Sequence, residues 1–209
     1  MNAGSRRILE DLRRARVLVV HPRDEDGAVL IQHLKRLGCE VQAVWPLPPV
    51  LPADWDTVFV QVEDTPIDQL IGLVEAHNPA IIAILTYESP TALRAIIDIN
   101  AHGVISKPLR PLGILTQFAL ARYRHGYEKR MTAKVQKLEE TLKGRRLVDR
   151  AVHILVELNR TDEDGAYRLL REQATSRRVA ITAAAEAIIG AYETMSGLGL
   201  TVSPSPRKD

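Results

Sequence analysis

The sequence has one cysteine, few aromatic residues and no long apolar run. Cys39 is alone, so no disulfide can form within the chain, and we interpret it as a small buried hydrophobic residue. Aromatic residues make up only 4% of the 209 residues, so the core has to be built from aliphatic side chains. Because no run of about 18 apolar residues exists, we expect no membrane span. The first 12 residues also lack the apolar region of a secretory signal. These absences predict a cytoplasmic globular protein.

Patterns that carry enzymatic or cofactor chemistry are also missing. The six histidines show no metal-ligand spacing with the cysteine or with paired carboxylates. There is no glycine-rich phosphate loop and no nucleophile elbow. We therefore predict no catalytic residues, no metal site and no cofactor, and a protein that is not an enzyme.

Charge is unevenly distributed, although the formal net charge is only +2. Residues 15–121 carry 7 Lys and Arg against 12 Asp and Glu, a net charge of −5. Residues 122–209 carry 17 against 12, a net charge of +5. The two parts therefore differ in their expected partners, and the basic part can attract phosphate groups.

The first half of the chain alternates short aliphatic runs with amphipathic stretches. The runs read as strands at 17–20, 40–44, 57–62, 80–85 and 103–105, and the stretches read as helices at 26–37, 66–77 and 89–101. Gly38 stands where glycine commonly ends a helix. The segment WPLPPVLPADW contains four prolines and predicts an extended surface loop. Strands that alternate with helices predict an α/β fold, a doubly wound parallel five-stranded sheet with helices on both faces.

The order of these elements, with the ending GVISKPL, resembles a response-regulator receiver domain, a flavodoxin-like fold. The resemblance implies acids after the first strand, a phospho-accepting aspartate after the third, Thr or Ser after the fourth, and Lys-Pro after the fifth. Thr86 and Lys107 match this pattern. The positions of the acids hold His21 and Pro22 instead, and the position of the acceptor holds Gln61.

The residues at these positions do not suit aspartyl phosphorylation. Mg²⁺ needs oxygen ligands, but His21 is a poor magnesium ligand and Pro22 has no donor atom. The amide of Gln61 cannot accept a phosphoryl group. We interpret the acids at 24–26 as capping residues of the first helix. The alternative that stays open is a phosphoryl acceptor displaced from position 61 to the acidic pair at 63–64. The sequence therefore predicts a pseudo-receiver with a degenerate phosphorylation site. Its Thr86 and Lys107 are expected to pack or form hydrogen bonds and not to act as a phosphorylation switch.

A proline-free stretch from residue 112 to about 150 predicts one long helix. Its apolar residues Met131, Val135, Leu138 and Leu142 follow spacings of four, three and four, which are typical of a coiled-coil seam. Charged residues stand between the seam positions. We predict a homodimer formed through this seam, and the alternative is an amphipathic helix packed on its own domain.

Three amphipathic stretches in the last third predict a small three-helix bundle. The first runs over 146–158, the second begins with Thr161 as its N-cap, and the third runs over 179–192. Their outward positions are rich in arginine, whose planar fork donates two parallel hydrogen bonds to phosphates or base edges. If only charge is considered, the alternative to nucleic-acid binding is that these arginines form a solvated charged face. The candidate nucleic-acid-contacting residues are Arg146, Arg150, His153, Tyr167, Arg168, Arg171, Arg177 and Arg178.

The run AVHILVELNRTDEDGAYRLLREQATSRR is similar to the ANTAR RNA-binding domain. The positions that match are Ala151, Ile154, Leu155, Thr161, Ala166, Tyr167, Leu170, Arg171 and Ala174. The Lys and Gly that the family carries after its first alanine are Val152 and His153 here. The resemblance implies RNA binding, in which unpaired loop bases are read by arginine stacking and hydrogen bonding.

A pseudo-receiver followed by a coil and an ANTAR-like bundle resembles the amidase operon antiterminators of the AmiR type. The segments CEVQAVWPLPP and YESP add to this resemblance. That resemblance implies a homodimer that binds a leader mRNA, prevents a terminator from forming, and is held inactive by a ligand-sensing negative regulator protein. A dimeric protein-interaction adaptor without RNA binding is the alternative, which Val152 and His153 leave open. The expected domains are an N-terminal segment (1–14), the pseudo-receiver (15–110), the coiled-coil helix (111–145), the RNA-binding bundle (146–195) and a flexible tail (196–209).

Overall fold

The computed structural model describes residues 3–48 and 55–198 of a chain that divides into two compact units, Met1–Arg130 and Met131–Asp209. The first elements are α1 (Ala3–Arg13), β1 (Arg16–Val20), α2 (Glu25–Leu37), β2 (Glu40–Val44), β3 (Thr57–Gln61), α3 (Ile67–His77) and β4 (Ala80–Leu85). They are followed by α4 (Pro90–Asp98), β5 (Gly103–Ser106), α5 (Pro111–Asn159), α6 (Glu163–Arg177) and α7 (Ile181–Gly197). None of the helices in these ranges combines the length and the hydropathy needed to span a bilayer.

The first unit is built on a five-stranded parallel sheet in the order β2-β1-β3-β4-β5. Val17 of β1 pairs with Val41 of β2 on one side and with Thr57 of β3 on the other. All five strands predicted from the aliphatic runs are present, and the α/β fold class is confirmed. Because the strands are parallel, their carboxyl ends meet at one edge of the sheet, where residues of the connecting loops come together.

Helices cover both faces of the sheet, which explains the continuous apolar runs of its central strands. One face, with Val17, Val19 and Phe59, packs against α1, α2 and α5. Phe59 meets Phe118 of α5 edge-on, with ring centroids 5.6 Å apart. The other face packs against α3 and α4, through side chains that include Leu70.

Local sequence explains where the helices begin and end. The carboxylate of Asp24 accepts the N–H of Gly27 at 2.8 Å and caps α2, as expected from the acids at 24–26. Gly38 ends α2 with φ 95°, a left-handed conformation that glycine adopts without strain. Ser89 caps α4 through the N–H of Ala92, and Pro90 occupies the first helical position.

The N-terminal segment contains a helix, α1, which its residue pattern does not predict. Leu12 of α1 lies in the core, and Asp11 accepts two hydrogen bonds from Arg122 of α5, at 2.7 and 2.8 Å. These contacts attach α1 to α5. The direct hydrogen bonds from Arg122 outweigh partial burial and hold the pKa of Asp11 below its ordinary value.

The prediction of a surface loop after β2 is wrong at both of its ends. Leu47 and Trp55 are buried in the core next to α3 and α4, because large apolar side chains here outweigh the polar preference of a loop. The middle of the predicted loop, 49–54, lies outside the described residues.

Several helix boundaries differ from the predicted ones, and the predicted long helix and first bundle helix are one continuous helix, α5. Helix α4 ends at Asp98 and not at 101, because Asn100 has a positive φ of 49°. Asp162, and not Thr161, caps α6 by accepting the N–H of Gly165 at 2.8 Å. Helix α7 continues through Gly197, so residues 196 and 197 of the expected tail are helical, and 199–209 lie outside the described part.

Two histidines pack together in the first unit beside the amino end of β4. His102 Nδ1 accepts the N–H of Ile81 at 3.1 Å, and its Nε2 lies 3.4 Å from Glu128. The His125 ring meets His102 edge-on at 5.1 Å. Burial lowers the pKa of His102 below its ordinary value although Glu128 opposes the shift, and burial likewise lowers the pKa of His125.

This pair predicts an acid-sensitive fold. The unfolded histidines take up protons near pH 6.5 and the folded ones only at lower pH, so stability present above about pH 6.5 is lost as the pH falls. We expect the Tm of the full chain to drop by about 3 °C between pH 7 and 5 through this pair. His102→Asn keeps an acceptor for the N–H of Ile81 and removes one titration. An equal acid-induced drop in wild type and variant, in calorimetry, would contradict the assignment.

Candidate functional site

The residues of the degenerate phosphorylation site lie together at the carboxyl edge of the sheet. His21 follows β1, Gln61 ends β3, Thr86 follows β4 and Lys107 follows β5. His21 and Gln61 are both buried, whereas Thr86 is exposed. Register places His21 next to Gln61, because Val20 and Val60 are partners in the β1–β3 ladder.

Hydrogen bonds within the chain engage some of the polar groups at this edge and leave others unpartnered. His21 Nδ1 donates to the carbonyl of Pro22 at 2.8 Å, and Gln61 Nε2 donates to Asp64 at 2.7 Å. The remaining ring nitrogen of His21 and the amide oxygen of Gln61 are buried without partners. Within residues 3–48 and 55–198, no three His, Cys, Asp or Glu residues are grouped so as to hold a metal ion.

Acids from α2 anchor the loop that carries Lys107. Lys107 Nζ lies 3.1 Å from Asp24 Oδ2, and Asp26 Oδ1 accepts the N–H of Leu109 at 2.6 Å. Partial burial would raise the pKa of Asp24, but the N–H of Gly27 and the Lys107 ammonium lower it below its ordinary value. The acids at 24–26 therefore connect α2 to the β5–α5 loop as well as capping α2, a role that sequence spacing did not reveal.

This arrangement predicts that the chain takes up no phosphoryl group. Wild type incubated with acetyl phosphate and Mg²⁺ should gain no phosphoryl mass in intact mass spectrometry. Gln61→Asp should also remain unmodified, because it restores an acceptor carboxylate while His21 and Pro22 still supply no oxygen ligand for the metal. A phosphorylatable receiver serves as the positive control. Stoichiometric labelling of wild type, above all at the acidic pair 63–64, would contradict the prediction.

In the second unit, the predicted seam residues form an exposed apolar row. Met131, Val135, Leu138 and Leu142 lie in α5 and are between 39% and 64% exposed. They repeat at spacings of four, three and four, so they share one face of the helix. An uncovered row of this kind is the surface that a coiled-coil partner buries.

The end of α5 packs with α6 and α7 into a small helical core. Its buried side chains are mostly small, including Ala151, Ala166 and Ala185, and they allow the three helices to approach closely. A Cβ added to Gly144 would lie 3.0 Å from the Thr182 methyl group, so this glycine permits close contact between α5 and α7. The core orients the outward face of α6.

That outward face of α6 carries several of the predicted RNA-contacting residues. A shallow cavity of about 400 Å³ is lined by Arg168, Arg171, Glu172, Thr175 and Ser176. A second, of about 640 Å³, is lined by Tyr167, Arg171, Ala174, Thr175, Arg178, Val179 and Ile181. Arg171 lines both. The second cavity combines an aromatic ring and two guanidinium groups with an apolar floor, the groups that hold an unpaired base.

The other predicted RNA-contacting residues have different surroundings. Arg150 forms an exposed ion pair with Glu193 of α7 at 2.6 Å. Arg146 and His153 are exposed on α5, and Arg177 is the last residue of α6. Val152, at the position where the resemblance implies lysine, is 8% exposed and packs in the helical core.

Comparison with known proteins agrees with this architecture. The family model described as "AmiR, N-terminal" matches residues 15–122, and the ANTAR domain model matches residues 136–189. The aliphatic amidase regulator of Pseudomonas aeruginosa is 31% identical over 193 residues, which cover 91% of this chain and 97% of that protein.

The chain belongs to the AmiR family. Family membership and the ANTAR match together support an RNA-binding antitermination regulator, and the relative from Pseudomonas aeruginosa is named a regulator.

Solved structures similar to this AmiR-family chain include two receiver domains. One is the signal receiver domain of a modulated diguanylate cyclase from Desulfovibrio desulfuricans G20, and the other is a CheY-like receiver domain protein from Methanospirillum hungatei JF-1. Each is 18% identical, with a TM-score of 0.46, and covers 55% of this chain and 98% of the solved chain.

Proposed function

We propose that this chain is a dimeric transcription antiterminator that binds a leader RNA through its ANTAR bundle and prevents terminator formation. The observation that carries the proposal is the outward face of α6, where Tyr167, Arg171 and Arg178 surround one cavity with an apolar floor. Arginine and tyrosine on a solvent-facing groove suit unpaired bases and their phosphates. The ANTAR match over residues 136–189 supports the same function.

The dimer, in this proposal, forms through the exposed row on α5. The spacing assigns Met131 and Leu138 to heptad position d, and Val135 and Leu142 to position a. Val135 at a with Leu138 at d is the combination of a β-branched residue and a leucine that favours two strands. A dimer presents two α6 faces to the transcript, which raises the effective concentration of the second site once the first is bound.

Control, in this proposal, comes from a ligand-sensing partner protein that sequesters the regulator. The degenerate site supports control without phosphorylation, because Gln61 is not an acceptor and Lys107 already pairs with Asp24. The relative of this chain is named a regulator of aliphatic amidase, so an amidase-like operon is the expected target.

A gel-shift assay with the leader RNA of the chain's own operon tests the proposed function. The purified, partner-free chain should retard this RNA and not an unrelated RNA of equal length, and the affinity should fall steeply with salt. Absence of binding at both low and moderate salt would overturn the proposal. Capture of a partner protein without any RNA affinity would favour the adaptor function instead.

A further inference from the structure

The connection between β4 and α4 is held by a carboxylate from another loop. Glu63 lies two residues beyond β3, and its Oε1 accepts the backbone N–H of Thr86 at 2.6 Å and that of Tyr87 at 3.4 Å. Its second oxygen, Oε2, is shielded from solvent and has no hydrogen-bond partner in the part of the chain that the structure describes. Two consecutive N–H groups that face one anion form an anion-binding cradle.

Among the described residues, the other backbone hydrogen bonds of this connection lie at its two ends. The carbonyl of Leu85 accepts the N–H of Lys107 at 2.8 Å, and Ser89 caps α4 at the other end. Between them, Glu63 is the one side chain from elsewhere in the described ranges that hydrogen-bonds the backbone. A hydrogen bond to a charged acceptor is about twice as strong as a neutral one.

We propose that Glu63 is a built-in anion that holds the Thr86–Tyr87 segment in one conformation. The segment leads directly into α4, whose Leu93 and Ile97 are exposed on one face, and Tyr87 itself is 62% exposed. The carboxylate thus fixes how this apolar surface is presented, and it does so in every molecule without modification or ligand. An external anion finds the cradle already occupied.

Hydrogen exchange in the full chain tests this role without RNA or a partner protein. Glu63→Ala should speed exchange of the Thr86 and Tyr87 amides at least about tenfold, because the carboxylate that accepts from both is lost. Glu63→Gln keeps the shape and a neutral acceptor, so it should have a smaller effect. The matched control is Glu88→Ala, which removes an exposed acid from the same loop and should change nothing. Circular dichroism verifies that each variant is folded.

Added acetate separates the loss of charge from a general loosening of the loop. Acetate supplies the missing carboxylate, so it should slow exchange of the two amides in the Glu63→Ala chain and leave wild type unchanged. The proposal is overturned if Glu63→Ala leaves both amides as protected as in wild type, or if Glu88→Ala exposes them equally. It is also overturned if acetate has no effect on the Glu63→Ala chain or the same effect on wild type.

Discussion

Leu138→Asp is expected to leave the chain monomeric at concentrations at which we expect the wild type to be a dimer. Leu138 is 64% exposed at a d position of α5, in the middle of the row from Met131 to Leu142. Burying a leucine contributes about 1.5–3 kcal/mol, and each dimer loses two of them. The change also brings two carboxylates together in an apolar seam. We expect the dissociation constant to rise by at least about 1,000-fold, measured by sedimentation equilibrium.

The control for this prediction is a substitution on the opposite face of the same helix. Glu140 is exposed two residues further on, away from the seam, so Glu140→Leu or Glu140→Ala should leave the dimer intact. If Leu138→Asp remained dimeric while its circular dichroism matched wild type, the row on α5 would not be the dimer interface.

Charge on the flanks of the seam predicts the orientation of the two helices. Lys134 occupies position g and Glu139 position e of the next heptad, a pair that faces across the interface only in a parallel, in-register coil. Lys134→Glu should weaken the dimer because the introduced carboxylate would face Glu139 of the other chain, and adding Glu139→Lys should restore it. Failure of the double variant to recover would argue against the parallel arrangement.

Local sequence patterns predict the helices and strands whose formation is determined by residues close together in the sequence. The aliphatic runs predict all five strands because the central ones are buried on both faces, and Gly38 marks the end of α2 because a positive φ is needed there. Helix α1 is not assigned from the sequence because its apolar residues are few, and its position depends on Arg122, 111 residues away in sequence from Asp11. Spacing within a segment carries no information on such partners.

The contacts of the candidate site likewise fall into those that local spacing predicts and those that depend on distant partners. Helical periodicity alone predicts that Arg168 and Arg171 share one face, and the structure places both at neighbouring cavities. Arg178 also lines one of these cavities, but it lies just beyond the end of α6 with a left-handed φ of 54°, which periodicity does not indicate. The pairing of Arg150 with Glu193 joins residues 43 apart, and the anchoring of Leu109 by Asp26 joins residues 83 apart. Both depend on how helices and strands pack, so no local motif indicates them.

Arg171→Ala is expected to weaken binding of the leader RNA by about 10- to 100-fold at moderate salt. Arg171 is the charged residue among the two that line both cavities, the other being Thr175, so its guanidinium is placed to contact whatever occupies either one. Loss of one such contact costs about 1–3 kcal/mol. Arg171→Lys retains the charge but not the planar fork, so it should recover only part of the affinity. Filter binding over a salt series measures both effects.

The matched control removes one positive charge from the same unit at a distance from α6 in sequence. Lys137 is exposed on α5 at heptad position c, outside the seam and its flanks, and Lys137→Ala should change RNA affinity less than twofold at moderate salt. Light scattering must show that both variants remain dimeric, since loss of the dimer would weaken RNA binding by itself. Wild-type affinity in Arg171→Ala, together with a clear loss in Lys137→Ala, would place the RNA on the long helix and remove the reason for assigning it to α6.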